Sequence, residues 1–252
     1  MSEQAASERS ALGVDIGGSG IKAAPVDLAS GQLLTRRERI PTPEPSTPAA
    51  VGEIVAELAR RFEWTGPIGC TFPAVIKRGV ALSAANVDKS WIGTDVDAVM
   101  SAATGCAVTV MNDADAAGVA EMRWGAGRGE EGLVIMITLG TGIGSALFID
   151  GILVPNTELG HLEIRGKDAE ARASANARED RKLSWHEWAE DVDEYLRHVE
   201  HLLSPDLFII GGGVSTKADR FVPRLTVTAR VVPAAMGNDA GIAGAAHLAR
   251  NG

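Results

Sequence analysis

Ala11-Leu12-Gly13-Val14-Asp15-Ile16-Gly17-Gly18-Ser19-Gly20-Ile21-Lys22 is the stretch on which the reading of the fold turns. Ala11 to Ile16 reads as a buried strand, Gly17 to Gly20 as a turn, and Ile21 to Val26 as a returning strand. Glycines let main-chain N–H groups converge on an oxyanion without side-chain obstruction. Asp15 ends the first strand, where a carboxylate can orient a hydrated Mg²⁺. Taken alone, these residues are equally compatible with an ordinary β-hairpin. No Gly-Lys-Ser/Thr follows, so the turn is not a Walker A loop.

The pattern occurs twice. Thr138 to Asp150 aligns without gaps on Asp15 to Asp27, with Gly140 on Gly17, Ala146 on Ala23 and Asp150 on Asp27. Leu133 to Leu139 is a continuous apolar strand, Gly140-Thr141-Gly142-Ile143-Gly144 turns it, and Ser145 to Ile149 returns. Two similar α/β halves follow, each presenting a phosphate-binding hairpin, with a cleft between them. The phosphate-binding candidates are Gly17, Gly18, Ser19, Gly20 and Lys22 in the first half, and Gly140, Thr141, Gly142 and Gly144 in the second.

Outward from the hairpins, helical spacing marks Ala49–Phe62, Asp95–Thr104, Asp113–Trp124 and Trp185–Leu203. Residues 169–182 look helical and strongly solvated, and Asp239–Arg250 reads as a closely packed glycine- and alanine-rich helix. Ile68–Phe72, Ala107–Met111 and Leu207–Ile210 are further strands. Residues 1–10 are expected to form a mobile tail, 11–111 a small N-terminal domain joined by the returning helix 239–250, and 112–237 a larger domain.

Three more places carry possible chemistry. Asn112-Asp113 lies where a buried strand meets a helix, the position from which α/β sheets point side chains into a ligand crevice. A carboxylate there can accept the proton of a substrate hydroxyl during phosphoryl transfer, and either residue can equally cap the helix. Glu158-Leu159-Gly160-His161 brackets a glycine with two groups able to hold adjacent hydroxyls of a sugar. Glu170 is a further hydroxyl acceptor or a solvated helix position.

Composition limits the classes of function. The chain has 252 residues, a net charge of −9 and 29 glycines. The acidic balance argues against a general nucleic-acid or membrane-surface binder. Two cysteines, Cys70 and Cys106, cannot build a disulfide framework or a four-cysteine zinc site. The polar Met1–Ser10 segment has no apolar stretch of the kind a signal peptide needs, and no apolar run approaches a membrane span, so a cytoplasmic protein is expected.

Asp15-Ile16-Gly17-Gly18-Ser19, Asn112-Asp113, Leu139-Gly140-Thr141-Gly142-Ile143-Gly144 and Glu158-Leu159-Gly160-His161, in this order and spacing, resemble the ROK group of sugar kinases within the actin-like ATPase superfamily. Asn86-Val87-Asp88-Lys89-Ser90-Trp91-Ile92-Gly93, Gly160 to Gly166 and Leu183-Ser184-Trp185 are most similar to the compact members that phosphorylate glucose from inorganic polyphosphate. The resemblance implies two actin-like (ribonuclease H-like) domains, Mg²⁺ as cofactor, ATP as an alternative donor, and a homodimer. It implies Asp113 as base for the glucose 6-hydroxyl, with Asn86, Asn112, Glu158, His161 and Glu170 holding the other hydroxyls. Many members carry a Cys-x-Cys-Gly-x-x-Gly-Cys zinc motif after the Gly-His pair. Here Arg165-Gly166-Lys167-Asp168-Ala169 stands in its place, so no zinc is expected and His161 is left to face the sugar.

An ATP-only hexose kinase remains the alternative within enzymes. A sugar-responsive repressor would need a helix-turn-helix module, and about ten residues precede the first hairpin. An actin-type structural protein needs no hydroxyl-holding cluster. A polyphosphate donor would need a local cationic track, for which Lys22, Lys89, Arg165, Lys167, Arg172 and Lys217 are candidates.

Overall fold

The protein is described here from a computed structural model covering residues 9–84 and 87–250. The chain divides into two compact units, Met1–Ala120 with Asp239–Gly252, and Glu121–Asn238.

The first unit is built on β1 (Ser10–Ile16), β2 (Ile21–Asp27), β3 (Glu38–Ile40), helix α1 (Pro48–Arg61), β4 (Ile68–Phe72), a small ladder of β5 (Ile76–Lys77) and β6 (Val80–Ala81), α2 (Val96–Thr104), β7 (Val108–Asn112) and the start of α3 (Asp113–Trp124). The sheet order is β3-β2-β1-β4-β7. β1 pairs antiparallel with β2 and parallel with β4, and β4 pairs parallel with β7. Successive side chains of a strand point to opposite faces. Leu12, Val14 and Ile16 therefore share one face and pack with Val51, Val55 and Leu58 of α1 and Val96 and Met100 of α2. Thr47 caps α1 by accepting from Ala50 N–H at 3.4 Å, and Asp95 caps α2 by accepting from Ala98 N–H at 2.9 Å.

The opposite face is closed by α7 (Ala240–Leu248), which packs across β1, β4, β2 and β7. A side chain at Gly13 would meet the backbone of Ile242, and one at Gly69 the backbone of Ala245. Helix and sheet thus approach backbone to backbone, which requires glycine at 13 and 69 and suits a helix rich in Gly and Ala.

The second unit repeats the plan. Its strands are β8 (Leu133–Leu139), β9 (Ile143–Ile149), β10 (Ile152–Val154), the short hairpin β11 (Glu163–Ile164) and β12 (Lys167–Asp168), then β13 (Leu207–Gly211) and β14 (Arg230–Pro233). The sheet order is β10-β9-β8-β13-β14, so the first strand of each sheet sits between its hairpin partner and a parallel strand. The solvated stretch 169–182 forms two short helices, α4 (Glu170–Ala173) and α5 (Ala175–Asp180), because Ser174 takes an extended conformation (φ −68°, ψ 160°) and caps α5. The long α6 (Trp185–Leu203) opens with a Ser184–Glu187 capping box. It buries Trp188, Val192, Tyr195, Leu196 and Val199 against Ile135, Ile137, Phe208 and Ile210.

The division between units falls inside α3, later than the 111/112 boundary expected from sequence. The first turns of α3 belong with α7: a Cβ on Gly244 would run into the carbonyl of Ala116. Just past the division, Glu121 is fully buried. Its carboxylate accepts from the N–H groups of Ala126 (2.8 Å), Ala235 (3.0 Å) and Met236 (2.7 Å), which compensates a charge that burial would otherwise penalise.

Candidate active site

In the first unit the β1–β2 ladder sets Asp15 opposite Lys22 and Ile16 opposite Ile21, and the turn closes through Gly17 N–H to Gly20 O at 3.2 Å. Asp15 is held from two sides. Buried Thr71 donates its hydroxyl to one carboxylate oxygen (2.9 Å) while accepting from Ile16 N–H (3.1 Å). Lys22 Nζ lies 3.1 Å from the other oxygen. The candidate metal residue and the candidate phosphate lysine are therefore an ion pair.

Asn112 and Asp113 stand at the same end of this sheet. Asp15, Thr71 and Met111 form one row across β1, β4 and β7, and Asn112 follows Met111 opposite Phe72. The Asn112 side-chain oxygen accepts from Ala114 N–H (2.8 Å) and Asp115 N–H (3.2 Å), and its amide donates to Ala74 O (3.1 Å). Asn112 is thus the cap of α3. Asp113 accepts from Ala114 N–H at 2.9 Å and is exposed at the helix start, where the dipole favours a carboxylate. Asn86 lies outside the described residues.

In the second unit the Glu158–His161 turn is fastened to the second glycine hairpin. Ser145 on β9 donates to Thr157 O (2.8 Å) and accepts from Leu159 N–H (3.0 Å). His161 Nδ1 lies 2.8 Å from Asp168 on β12, and its Nε2 lies 3.9 Å from Glu158. The hydrogen bond to Asp168 raises the His161 pKa above the usual imidazole value, and burial raises that of Glu158.

Glu170 sits on the turn itself. It accepts from Ile143 N–H at 3.2 Å, and its carboxylate occupies the space a side chain at Gly142 would need. Asn176 N–H donates to Gly140 O at 3.1 Å. Thr141, Lys167, Asp168, Glu170, Ser174 and Asn176 line an open cavity of about 530 Å³. Acceptor-rich walls of this kind suit a ligand that donates hydroxyl protons. Among the described residues, His161, Asp168 and Glu170 are the one group whose ligand atoms gather closely enough to hold a metal ion, all within 4.8 Å of one another. His161 Nδ1 and Asp168 already share a hydrogen bond, and Glu170 accepts from Ile143 N–H.

Several cations suggested for a donor track are committed elsewhere. Arg172 pairs with Asp191, which Arg181 also holds at 2.7 Å, and Arg165 pairs with Glu194 at 2.8 Å. Lys89, Lys167 and Lys217 stay exposed. Sequence reading passed over Thr71, Asp168 and Arg39. Strand register brings Thr71 and Arg39 to the first hairpin, and no motif marks either.

A family model described as "ROK family" matches residues 11–174, and the chain belongs to that family. It is 51% identical over 243 residues to a polyphosphate glucokinase of Mycobacterium tuberculosis, covering 96% of this chain and 92% of the relative. The crystal structure of an inorganic polyphosphate/ATP-glucomannokinase from Arthrobacter sp. strain KM is 56% identical, with a TM-score of 0.87, covering 94% of this chain and 96% of that one. A ROK family glucokinase from Streptomyces griseus, solved with glucose and AMPPNP, is 28% identical with a TM-score of 0.78, covering 96% and 100%. The fold is that of the actin-like ATPases.

Proposed function

We propose that this chain phosphorylates the 6-hydroxyl of glucose, with inorganic polyphosphate as donor. One observation carries the reading on the structural side. A single chain holds a glycine turn flanked by cations in one unit and a carboxylate–imidazole cluster fastened to a glycine turn in the other. The first arrangement suits phosphate and the second suits hydroxyls. The similarity to polyphosphate-using relatives supports the same donor and sugar.

Asp113 serves as general base. Its carboxylate stands exposed at the start of α3, beside Asn112, where it can accept the proton of the attacking hydroxyl. Glu158, His161 and Glu170 orient the sugar by accepting and donating hydrogen bonds to its other hydroxyls, with Asn86 and the second amide hydrogen of Asn112 assigned to the same task. Gly17 to Gly20 receive the phosphates, whereas Gly140 to Gly144, expected from sequence to do the same, carry the Glu170 carboxylate and are assigned to the hydroxyl side. Mg²⁺, when bound, neutralises charge on the transferring phosphates. Asp15, with both oxygens already partnered by Thr71 and Lys22, fits a hydrated ion held through water better than one bound directly. Zinc is not assigned, because Arg165 to Ala169 supply none of the cysteines of the family's zinc motif after His161.

Sugar binding is expected to change the dimensions of the chain in solution, which scattering with and without glucose tests. Among the described residues no helix is long and apolar enough to cross a membrane. We assign the enzyme to the cytoplasm as a homodimer, which light scattering on the purified chain checks. The deciding assay couples glucose 6-phosphate formation to a dehydrogenase and compares polyphosphate with ATP. Activity with ATP alone would leave the ATP-only hexose kinase. ATP as a second donor is favoured by the Arthrobacter relative, whose name carries both.

A further inference from the structure

Arg39 on β3 is the register partner of Lys22 on β2. Its Nη2 donates to Ser19 O at 2.6 Å, and its guanidinium fills the space in which a side chain at position 20 would lie. A side chain at position 20 would require the Arg39 guanidinium to shift.

Three of the four turn carbonyls have a donor among the described residues. Gly17 O accepts from the Thr42 hydroxyl at 2.5 Å, Ser19 O from Arg39, and Gly20 O from Gly17 N–H. Among the described residues, no acceptor meets the N–H groups of Gly18 and Ser19. Three negative ends of the turn are thus capped and two positive ends, the N–H groups of Gly18 and Ser19, are left available to a ligand, the polarity of an anion nest.

The charges sort in the same way. Lys22 is balanced by Asp15, and Glu38, next to Arg39, is held by Arg61 at 3.0 Å. Among the described residues no carboxylate pairs with Arg39, and its side chain is exposed. A guanidinium that spends one N–H on Ser19 keeps others for a second acceptor, and its fork geometry matches phosphate oxygens.

We propose that Arg39 is a donor-binding residue: its guanidinium holds a phosphate of the inorganic polyphosphate chain beside the Gly17–Gly20 turn. The proposal rests on the functional reading above, because it takes the donor from there. It assigns the first step of the polyanion's path to β3 rather than to Arg165 or Arg172, whose charges are already paired.

The test is calorimetric titration of the full-length protein with long-chain polyphosphate at several salt concentrations, for wild type, Arg39→Gln and Arg39→Lys. Glutamine loses the charge, and affinity should fall about tenfold, the loss of one charge-assisted hydrogen bond. The slope of log affinity against log salt should fall by about one, the signature of one lost phosphate contact. Lysine should keep most of that slope. Melting curves and the Michaelis constant for glucose should stay near wild type. An unchanged salt slope in Arg39→Gln, with or without weaker binding, would overturn the proposal and leave Arg39 as a support for Ser19. Wild-type turnover with polyphosphate is measured separately. Arg39-dependent binding without glucose phosphorylation would sink the functional reading and keep this site.

Discussion

The two glycine hairpins share topology and differ in what surrounds them. In the first, Lys22 and Arg39 stand beside the turn, and Asp15 is already paired. In the second, the carboxylate of Glu170 lies on Gly142 and takes the Ile143 N–H, with Asp168 and His161 close by. One turn offers positive charge to a ligand, and the other presents acceptors. A repeated strand–turn–strand motif therefore does not imply a repeated ligand. The side chains brought in by neighbouring elements set the preference, and they differ because β3 supplies Arg39 in one unit while α4 supplies Glu170 in the other.

The largest effect lies outside both turns. Asp113→Asn should lower kcat by about 10²–10⁴-fold, the usual cost of losing a general base, with glucose binding largely kept. A variant with more than a tenth of wild-type kcat would leave Asp113 only a place in the first turn of α3. Its melting curve should stay close to wild type, since the cap is Asn112.

Glu170→Gln separates the two turns directly. If the second turn is the hydroxyl side, the Michaelis constant for glucose should rise roughly 10–100-fold, the range for a lost charged hydrogen bond. The constant for polyphosphate should barely move. Were the donor constant instead to fall while glucose stayed unchanged, Glu170 would be acting as a negative guard on a phosphate turn, and the contrast would collapse.

Salt gives a smaller effect on the wild type. Screening should raise the Michaelis constant for polyphosphate several-fold between about 0.05 and 0.2 M salt, whereas neutral glucose should change little. Parallel changes for both substrates would argue against a cationic donor turn.

The smallest effect is on His161. Its pKa is raised chiefly by the hydrogen bond to Asp168, with burial opposing and nearby Glu170 adding to the rise. The folded value exceeds the unfolded one, so the stabilisation is complete below about pH 6.5 and is lost as pH rises through the folded value. An NMR titration of the His161 ring should show a midpoint above 6.5 that moves toward 6.5 in Asp168→Asn. No movement would mean that Asp168 does not hold the imidazole.

The strands and helices that follow strong hydrophobic periodicity were legible in the sequence. β1 and β2 about Gly17–Gly20, β8 and β9 about Gly140–Gly144, and α6 from Trp185 lie where their patterns place them. Short edge elements were not: β3, β10 and β14 are three or four residues long, too short for a period to show. The charged stretch 169–182 reads as one helix because composition cannot register the break at Ser174. No local pattern marks Glu121, which is fully buried and accepts from the N–H groups of Ala126, Ala235 and Met236, the last two more than 100 residues away.

Sequence alone was enough for the plan of this protein: two glycine hairpins in like halves, the Asn112-Asp113 junction, and the Glu158–His161 turn. These are local, since a turn, a cap or a strand is decided by residues within a few positions of one another. Which charges remain available was decided only by the tertiary structure. Lys22 was spent on Asp15, Arg172 on Asp191 and Arg165 on Glu194, while Arg39, unremarkable in sequence, was laid across the first turn by strand register. The physical reason is that a side chain's charge is effective only where no opposite charge already neutralises it, and such partners meet through pairing across many residues.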